Sequence, residues 1–444
     1  MPKQTARQAA AAALIQINYE GGYSNLVLNE MLRKNEFSQE DRAFASRLVY
    51  GTLERKLTLD RIIANYSKKP VQKLTPAVAE ILRMSLYQLL YLDSVPDSAA
   101  VDEAVKLTRK MKASSASGFV NAVLRNFLRD GKQIPQDKGD KGLQTQYSCP
   151  AWIIKELTQN YGREAAESML KHSLGRPPLY ARVNSCKISA EALIERLQKE
   201  GVTARKDSVL ENCLLLEGTS SIEEIPSFRE GLFHIQDKSS QMCALTVDAQ
   251  KGERVLDCCS APGSKSFTVA EQMNNEGEII SCDIFEEKIK KIQQGANRLG
   301  LSVIHPQMND GAVYNEKFGQ FDKVLCDVPC SGLGIISRKP EIKYKDRSEM
   351  QSLPQIQEKI LSTASRYVKI GGKLIYSTCT LLHEENSDVV EKFLAEHPEF
   401  EPCPLPPKVR QAAGLTDKTV WKVTLLPQMA DTDGFFISCI KKVR

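Results

Sequence analysis

Two short runs carry cysteines whose settings allow chemistry. Asp327-Val328-Pro329-Cys330-Ser331-Gly332-Leu333-Gly334 and Tyr376-Ser377-Thr378-Cys379-Thr380 each leave a segment that reads as a buried β-strand. A thiolate is a strong nucleophile, and a thiol beside it can give or take a proton. Either cysteine alone is more often an inert buried thiol than a nucleophile. Two of them at the ends of adjacent strands, opening onto one crevice, reverse those odds.

The elements that must position them begin after Gly252, where the pattern becomes strand, helix, strand, helix. Strands are expected at Arg254–Cys258, Glu278–Asp283, Val303–Gln307, Phe321–Asp327 and Lys373–Thr378. Strands separated by helical patterns imply a parallel sheet wound on both faces, with ligands held beyond the C-terminal strand ends. In such a sheet the fourth and fifth strands are neighbours, which puts Cys330 and Cys379 side by side.

The first of these strands runs through Val255-Leu256-Asp257-Cys258 into Cys259-Ser260-Ala261-Pro262-Gly263-Ser264-Lys265, a turn of small residues that lets a ligand approach the backbone. By itself a Gly-Ser turn is often only a turn. Asp283 ends the next strand, where a carboxylate can hold two ribose hydroxyls. The third strand runs into Asn309-Asp310 and the fourth ends at Asp327, so acidic groups at four successive strand ends converge on one crevice. Any one of them is more often a cap or turn former; the ordered set favours an adenosine-containing cofactor. Neither G-x-x-x-x-G-K-[ST] nor a dinucleotide fingerprint is present, so a cofactor without a pyrophosphate fits better. S-adenosylmethionine has a ribose, an adenine and a cationic sulfonium, and carboxylates suit all three.

A methyl donor beside two thiols suggests a pyrimidine target. C5 of cytosine is a poor nucleophile until a thiolate adds at C6, and after methyl transfer a proton must leave C5 before the thiol is eliminated. A second thiol can serve as that base or assist release. A methyltransferase acting on an exocyclic amine would instead carry Asp/Asn-Pro-Pro-Tyr or Phe where Asp327-Val328-Pro329-Cys330 stands.

On these motifs the C-terminal half resembles the RNA cytosine-5 methyltransferases, in which the Thr-Cys cysteine attacks and the Pro-Cys cysteine assists release. The DNA enzymes attack with the Pro-Cys cysteine. The resemblance implies that Cys379 is the nucleophile and Cys330 its helper, and that Lys265 and Asp327 face the base. It also implies that Cys259, Ser260, Ala261, Pro262, Gly263, Ser264, Lys265, Asp283, Asp310 and Asp327 hold S-adenosylmethionine. Ser264 departs from the family, which usually has a second glycine there. Arg338-Lys339-Pro340-Glu341-Ile342-Lys343 and Asp433-Gly434-Phe435-Phe436 also match.

Residues 5–129 read as successive helices, with Ser38 as an N-cap, Thr75-Pro76 opening another helix, and apolar stripes Val78, Ile81, Leu82, Leu86, Leu89, Leu90 and Phe119, Val120, Val123, Leu124, Phe127. The runs Ala43–Gly51, Leu82–Leu90 and Phe119–Arg125 resemble the helical RNA-binding domain of NusB. That domain joined to this catalytic half is the arrangement of the RsmB/Sun family of bacterial 16S ribosomal RNA methyltransferases. The expected organisation is therefore an all-α domain over 1–130, a linker over 131–149, a small α+β RNA-binding or connecting domain over 150–236, and an α/β Rossmann-like class I methyltransferase domain over 237–444.

Charge fits this division. The net charge is +5, but residues 1–130 hold 19 Lys and Arg against 13 Asp and Glu, so the whole positive excess lies there. A basic module suits a polyanion, although a solvated helical surface gives the same balance about as often. No apolar run approaches the ~20 residues of a membrane span, and Ala9–Ala13 is too short for a signal peptide, which points to the cytoplasm. The 12 cysteines form no C-x-x-C pair and the five histidines are scattered, so neither metal nor disulfides are expected. A monomer is expected. Two other readings stay open: a transfer RNA cytosine-5 methyltransferase, and a non-catalytic RNA-binding assembly factor, which the loss of either cysteine would have favoured.

Overall fold

The computed structural model describes residues 4–219 and 221–444. Two compact units result, one of residues up to Arg176 together with Ile336–Lys345, the other of Pro177–Ile335 and Asp346–Arg444. No helix among the described residues is long and apolar enough to cross a membrane.

The first unit is helical. Ser38 caps the helix Gln39–Glu54 by accepting from the Asp41 amide, and Pro76 takes the first position of the helix Pro76–Tyr91, where its missing N–H is harmless. This helix is apolar nearly all round, and it is buried accordingly, with Ile81, Leu82 and Leu86 fully enclosed among Leu14, Leu48, Leu59, Ile62, Leu124 and Phe127. It also buries charge. Arg83 pairs with Asp60 at 2.6 Å and with Glu80, while Asn18 bridges Glu80 and the Lys56 ammonium. Apolar periodicity gives no sign of that network.

Two features depart from the expected boundaries. The 131–149 segment carries a helix, Gly139–Tyr147, tied down by Arg61 on Asp137 at 2.8 Å and by the Thr58 hydroxyl donating to the Thr145 carbonyl at 2.6 Å. Gly and charge in a short amphipathic helix mimic a linker. The helical unit also takes in Ile336–Lys345, a strap that follows the Pro-Cys motif in sequence. Lys343 is completely buried there, its ammonium donating to the Glu54 carbonyl at 2.9 Å, and burial pulls its pKa down to about 8. The Tyr344 hydroxyl donates to the Leu53 carbonyl at 2.7 Å, and the Ser24 amide donates to Glu341 at 3.1 Å.

The second unit holds two sheets. The smaller is antiparallel, in the order β2-β3-β1-β4, from β1 (Leu179–Val183), β2 (Thr203–Lys206), β3 (Cys213–Glu217) and β4 (Phe233–Ile235). It is joined to the larger part of the unit by the buried pair Arg182–Glu271 at 2.8 Å and by Asn184 donating to the Leu299 carbonyl at 2.8 Å.

The larger sheet comprises β5 (Arg254–Asp257), β6 (Glu278–Asp283), β7 (Ile304–Met308), β8 (Phe321–Asp327), β9 (Val368–Thr378), β10 (Phe400–Pro402), β11 (Lys422–Leu425) and β12 (Phe435–Lys442). Its order is β10-β12-β9-β8-β5-β6-β7, with β11 paired to β12. The five strands expected from sequence form its parallel half, and the apolar runs Val324-Leu325-Cys326 and Leu374-Ile375-Tyr376 are fully buried, as strands covered on both faces must be. The sheet is nevertheless not wholly parallel. β12 runs antiparallel to β9, beyond the last strand that the strand-helix rhythm marks.

Candidate active site

The parallel strands end where the site begins. β8 and β9 are paired so that Asp327 lies opposite Ser377, which places the following turns side by side. Cys330 and Cys379 consequently stand with their sulfurs 3.3 Å apart. At that separation one thiol donates a hydrogen bond to the other sulfur. The bond to Cys379, then burial, then the negative charge of Cys379, Glu385 and Asp327 hold the Cys330 pKa well above the usual thiol range. Either sulfur can be the donor of that bond, and the upward shift favours the protonated form of Cys330.

Lys265 and Asp327 form the polar wall. The Lys265 ammonium is 2.6 Å from Asp327 Oδ2 and lies over the Phe435 ring at 5.1 Å. Burial, the largest single influence, lowers its pKa, but Asp327, Cys243 and Asp257 together outweigh it and the net shift is upward, so the lysine stays charged. The other Asp327 oxygen accepts from the Ser377 hydroxyl at 2.8 Å.

The small-residue turn is built as a backbone cradle. Gly263 sits at φ +106°, where a side chain is strained, and its amide donates to the Ser260 carbonyl at 2.7 Å. Ser260 is itself anchored, its amide donating to the Cys282 carbonyl at 2.8 Å. Ser264 opens the helix Ser264–Gln272 and is not among the positive-φ residues, so the second glycine of related loops is not needed here. Cys259 and Ala261 are half-buried and Pro262 exposed along the same turn. Asp283 ends β6 with one oxygen accepting from the Phe285 amide at 3.1 Å and the other 3.3 Å from the Lys288 ammonium. Asp310 is exposed two residues beyond β7, accepting from the Ala312 amide at 2.9 Å. Asp257, the acid at the end of β5, does not join them. It is turned inward onto the Ser266 hydroxyl at 2.7 Å, and burial pushes its pKa up to about 7.

Sequence reasoning missed the residues behind the two cysteines. Gly334 donates to the Cys379 carbonyl and accepts from the Gly434 amide, both at 2.9 Å, so three loops are stitched through two glycines. A Cβ on Gly334 would lie 1.9 Å from the Gly434 oxygen, which explains why no side chain stands there. Glu385, Asn386 and Gln357 are also buried around the cysteine loops. The run His383-Glu384-Glu385-Asn386 reads locally as a solvated turn, and only long-range pairing shows otherwise.

Comparisons with known proteins agree with this architecture. Residues 244–441 match the profile of 16S rRNA methyltransferase RsmB/F, residues 4–129 the NusB family, and residues 149–223 the ferredoxin-like domain of RsmF/B-like methyltransferases. The probable ribosomal RNA small subunit methyltransferase B of Bacillus subtilis is 39% identical over 100% of both chains. The chain belongs to the RsmB/F family of 16S rRNA methyltransferases. Among solved structures, PH0851 superposes with a TM-score of 0.84 over 99% of both chains at 23% identity, a likeness of fold. A methyltransferase homologue from Pyrococcus horikoshii superposes with a TM-score of 0.59, covering 69% of this chain and 99% of its own, at 26% identity. The RsmB/F match spans the parallel sheet, both cysteine motifs and β12, and the NusB match ends where the helix Ser117–Arg129 does.

Proposed function

We propose that the protein transfers a methyl group from S-adenosylmethionine to C5 of a cytosine in 16S ribosomal RNA through a covalent bond between Cys379 and C6. The observation that carries this reading is the 3.3 Å pairing of Cys330 and Cys379 at the ends of adjacent strands, beside carboxylates suited to an adenosine cofactor. The donor set fits that cofactor: Asp283 for the ribose hydroxyls, Asp310 for the adenine side, and a turn from Cys259 to Lys265 whose backbone is open to close approach. S-adenosylmethionine, when bound, supplies an electrophilic methyl group.

Within the chain, the Cys379 thiolate adds to C6, and the C5–C6 π electrons become available at C5. Negative charge spreads onto the ring, where the Lys265 ammonium, kept charged by Asp327, stabilises it. Once C5 is methylated, its proton passes to water, the C5–C6 double bond re-forms and the Cys379 thiolate is expelled, with the Cys330 thiol placed to donate a hydrogen bond to the departing sulfur. Cys330 serves that second half.

Bisulfite sequencing of RNA from a deletion strain tests the assignment. One 16S cytosine should lose its protection and regain it when the purified protein and S-adenosylmethionine are added back. A lost mark in transfer RNA, or no lost mark anywhere, would overturn the substrate. Calorimetry tests the cofactor site: Asp283→Ala should weaken S-adenosylmethionine binding by about 1.5–3 kcal/mol, the worth of a hydrogen bond to a charged group. Unchanged affinity would remove Asp283 from the site.

The helical domain supplies RNA affinity in this reading. A groove of about 470 Å³ on it is lined by Lys68 and Lys69, cations suited to phosphates, together with Asp60 and with Arg61 and Lys141, which both pair with Asp137. Because the strap belongs to this unit, the test uses the whole chain rather than a truncation. Replacing Lys68 and Lys69 by Ala should reduce the slope of log affinity against log salt by roughly 2, near one unit per lost phosphate contact. An unchanged slope would place the RNA elsewhere.

A further inference from the structure

Two consecutive residues outside the motifs hold the two cysteines, one each. Glu385 and Asn386 join the short turn His383–Glu385 to the helix Ser387–Glu396, and both are fully or almost fully buried. Glu385 Oε2 accepts from the Ser331 amide and from Gln357 Nε2, each at 2.9 Å, and the same Gln357 nitrogen donates to the Pro329 carbonyl at 2.9 Å. Both flanks of Cys330 are thereby fixed. Asn386 Nδ2 donates to the Thr380 carbonyl at 3.0 Å, and its Oδ1 accepts from the Thr378 hydroxyl, so both flanks of Cys379 are fixed as well. The Ser331 and Thr380 hydroxyls join the two loops at 2.7 Å, and the Tyr376 hydroxyl pins the Glu385 carbonyl at 2.5 Å.

The choice of glutamate is the informative part. Its second oxygen, Oε1, is buried with no hydrogen-bond partner among the described residues. A buried carboxylate with idle acceptor sites is costly, and a glutamine of the same shape could accept from Ser331 without the charge. Burying a negative charge behind Cys330 makes sense if its field, as well as its geometry, is used. We propose that Glu385 and Asn386 are positioning residues that divide the reaction, Asn386 setting Cys379 for attack and Glu385 setting Cys330 for release.

This rests on the reading that Cys379 attacks and Cys330 finishes, and the test separates the two. Cys330 faces the anionic groups Glu385 and Asp327, the latter paired with the Lys265 ammonium, together with the Cys379 thiol and the Tyr376 phenol. Removing the Glu385 charge eases ionisation of Cys330, so any limb of the release rate that follows Cys330 moves to lower pH.

The experiment uses the full chain, unmodified 16S rRNA transcript and S-adenosylmethionine, and follows covalent adduct formation and adduct decay separately. Glu385→Gln should leave adduct formation within about two-fold, slow its decay tenfold or more, and shift the pH profile of decay downward. Asn386→Ala should slow adduct formation tenfold or more without accumulation. Gln357→Met, which frees the Pro329 flank, should reproduce the slow decay and carries the test if Glu385→Gln does not fold. Equal slowing of both steps in these variants, or an unmoved pH profile in Glu385→Gln, would reduce the pair to structural support and overturn the proposal. Cys330→Ala and Cys379→Ala run alongside report on the parent reading: if they do not divide release from attack, that reading fails first.

Discussion

Cys330→Ala should stall as a covalent protein–RNA adduct, while Cys379→Ala should form none and lose turnover by a factor on the order of 10⁴ or more. The two sulfurs are only 3.3 Å apart, so proximity alone cannot say which attacks. The proposed function gives attack to Cys379, as in the RNA enzymes that the sequence resembles, and release to Cys330, whose pKa is held above the usual thiol range by its bond to Cys379, by burial and by the surrounding anions. Cys330→Ala removes the donor yet leaves Cys379 in place, so attack and methyl transfer continue and the adduct persists because release is impaired. The adduct is read as a slow-migrating band on a denaturing gel, with cofactor and RNA both present. An adduct from Cys379→Ala and none from Cys330→Ala would move the nucleophile to the Pro-Cys motif. Retained activity without adduct in either would remove covalent catalysis.

Gly334→Ala should lower the single-turnover rate by about 10²-fold, because a displacement near 1 Å in a catalytic group costs about that much. The added Cβ would lie 1.9 Å from the Gly434 oxygen and 2.9 Å from the Cys379 carbonyl oxygen, and both are backbone atoms that cannot swing aside as a side-chain tip can. The loops must part, and the Cys379 loop moves with them. Overpacking of this kind also costs about 1–3 kcal/mol of stability, so a melting curve accompanies the kinetics. Affinity for S-adenosylmethionine should hold, since the Cys259–Lys265 turn is not part of the stitch. A folded Gly334→Ala protein with an unchanged rate would show that the glycine contact does not position Cys379.

The parallel half of the sheet was legible because it is written locally. Most of its strands carry a short apolar run bounded by turn residues, and the expected Glu278–Asp283 and Phe321–Asp327 coincide with β6 and β8, while the edge strand β7 is mostly exposed. The adjacency of Cys330 and Cys379 follows from winding order alone. β12 was not legible, since nothing in Phe435-Phe436-Ile437-Ser438-Cys439-Ile440 says that it lies antiparallel beside a strand nearly sixty residues earlier. The same holds for Glu385, whose partners Ser331 and Gln357 are 54 and 28 residues away. The Arg83 network was hidden by the apolar stripe that surrounds it. Local pattern reports which face a residue turns inward; it does not report which distant residue it meets.

The strap has a consequence for synthesis. The helical unit is drawn from the beginning of the chain, yet Ile336–Lys345 completes it. A growing chain therefore displays the Leu53–Glu54 carbonyls before Lys343 and Tyr344 exist to meet them. Between Arg176 and Ile336 lie about 160 residues, which at ~5–20 residues per second amount to a wait on the order of 10–30 s. Vectorial folding cannot finish the first unit and then turn to the second; the first stays incomplete until Lys345 has been made, by which point Pro177–Ile335 of the second has already been synthesised.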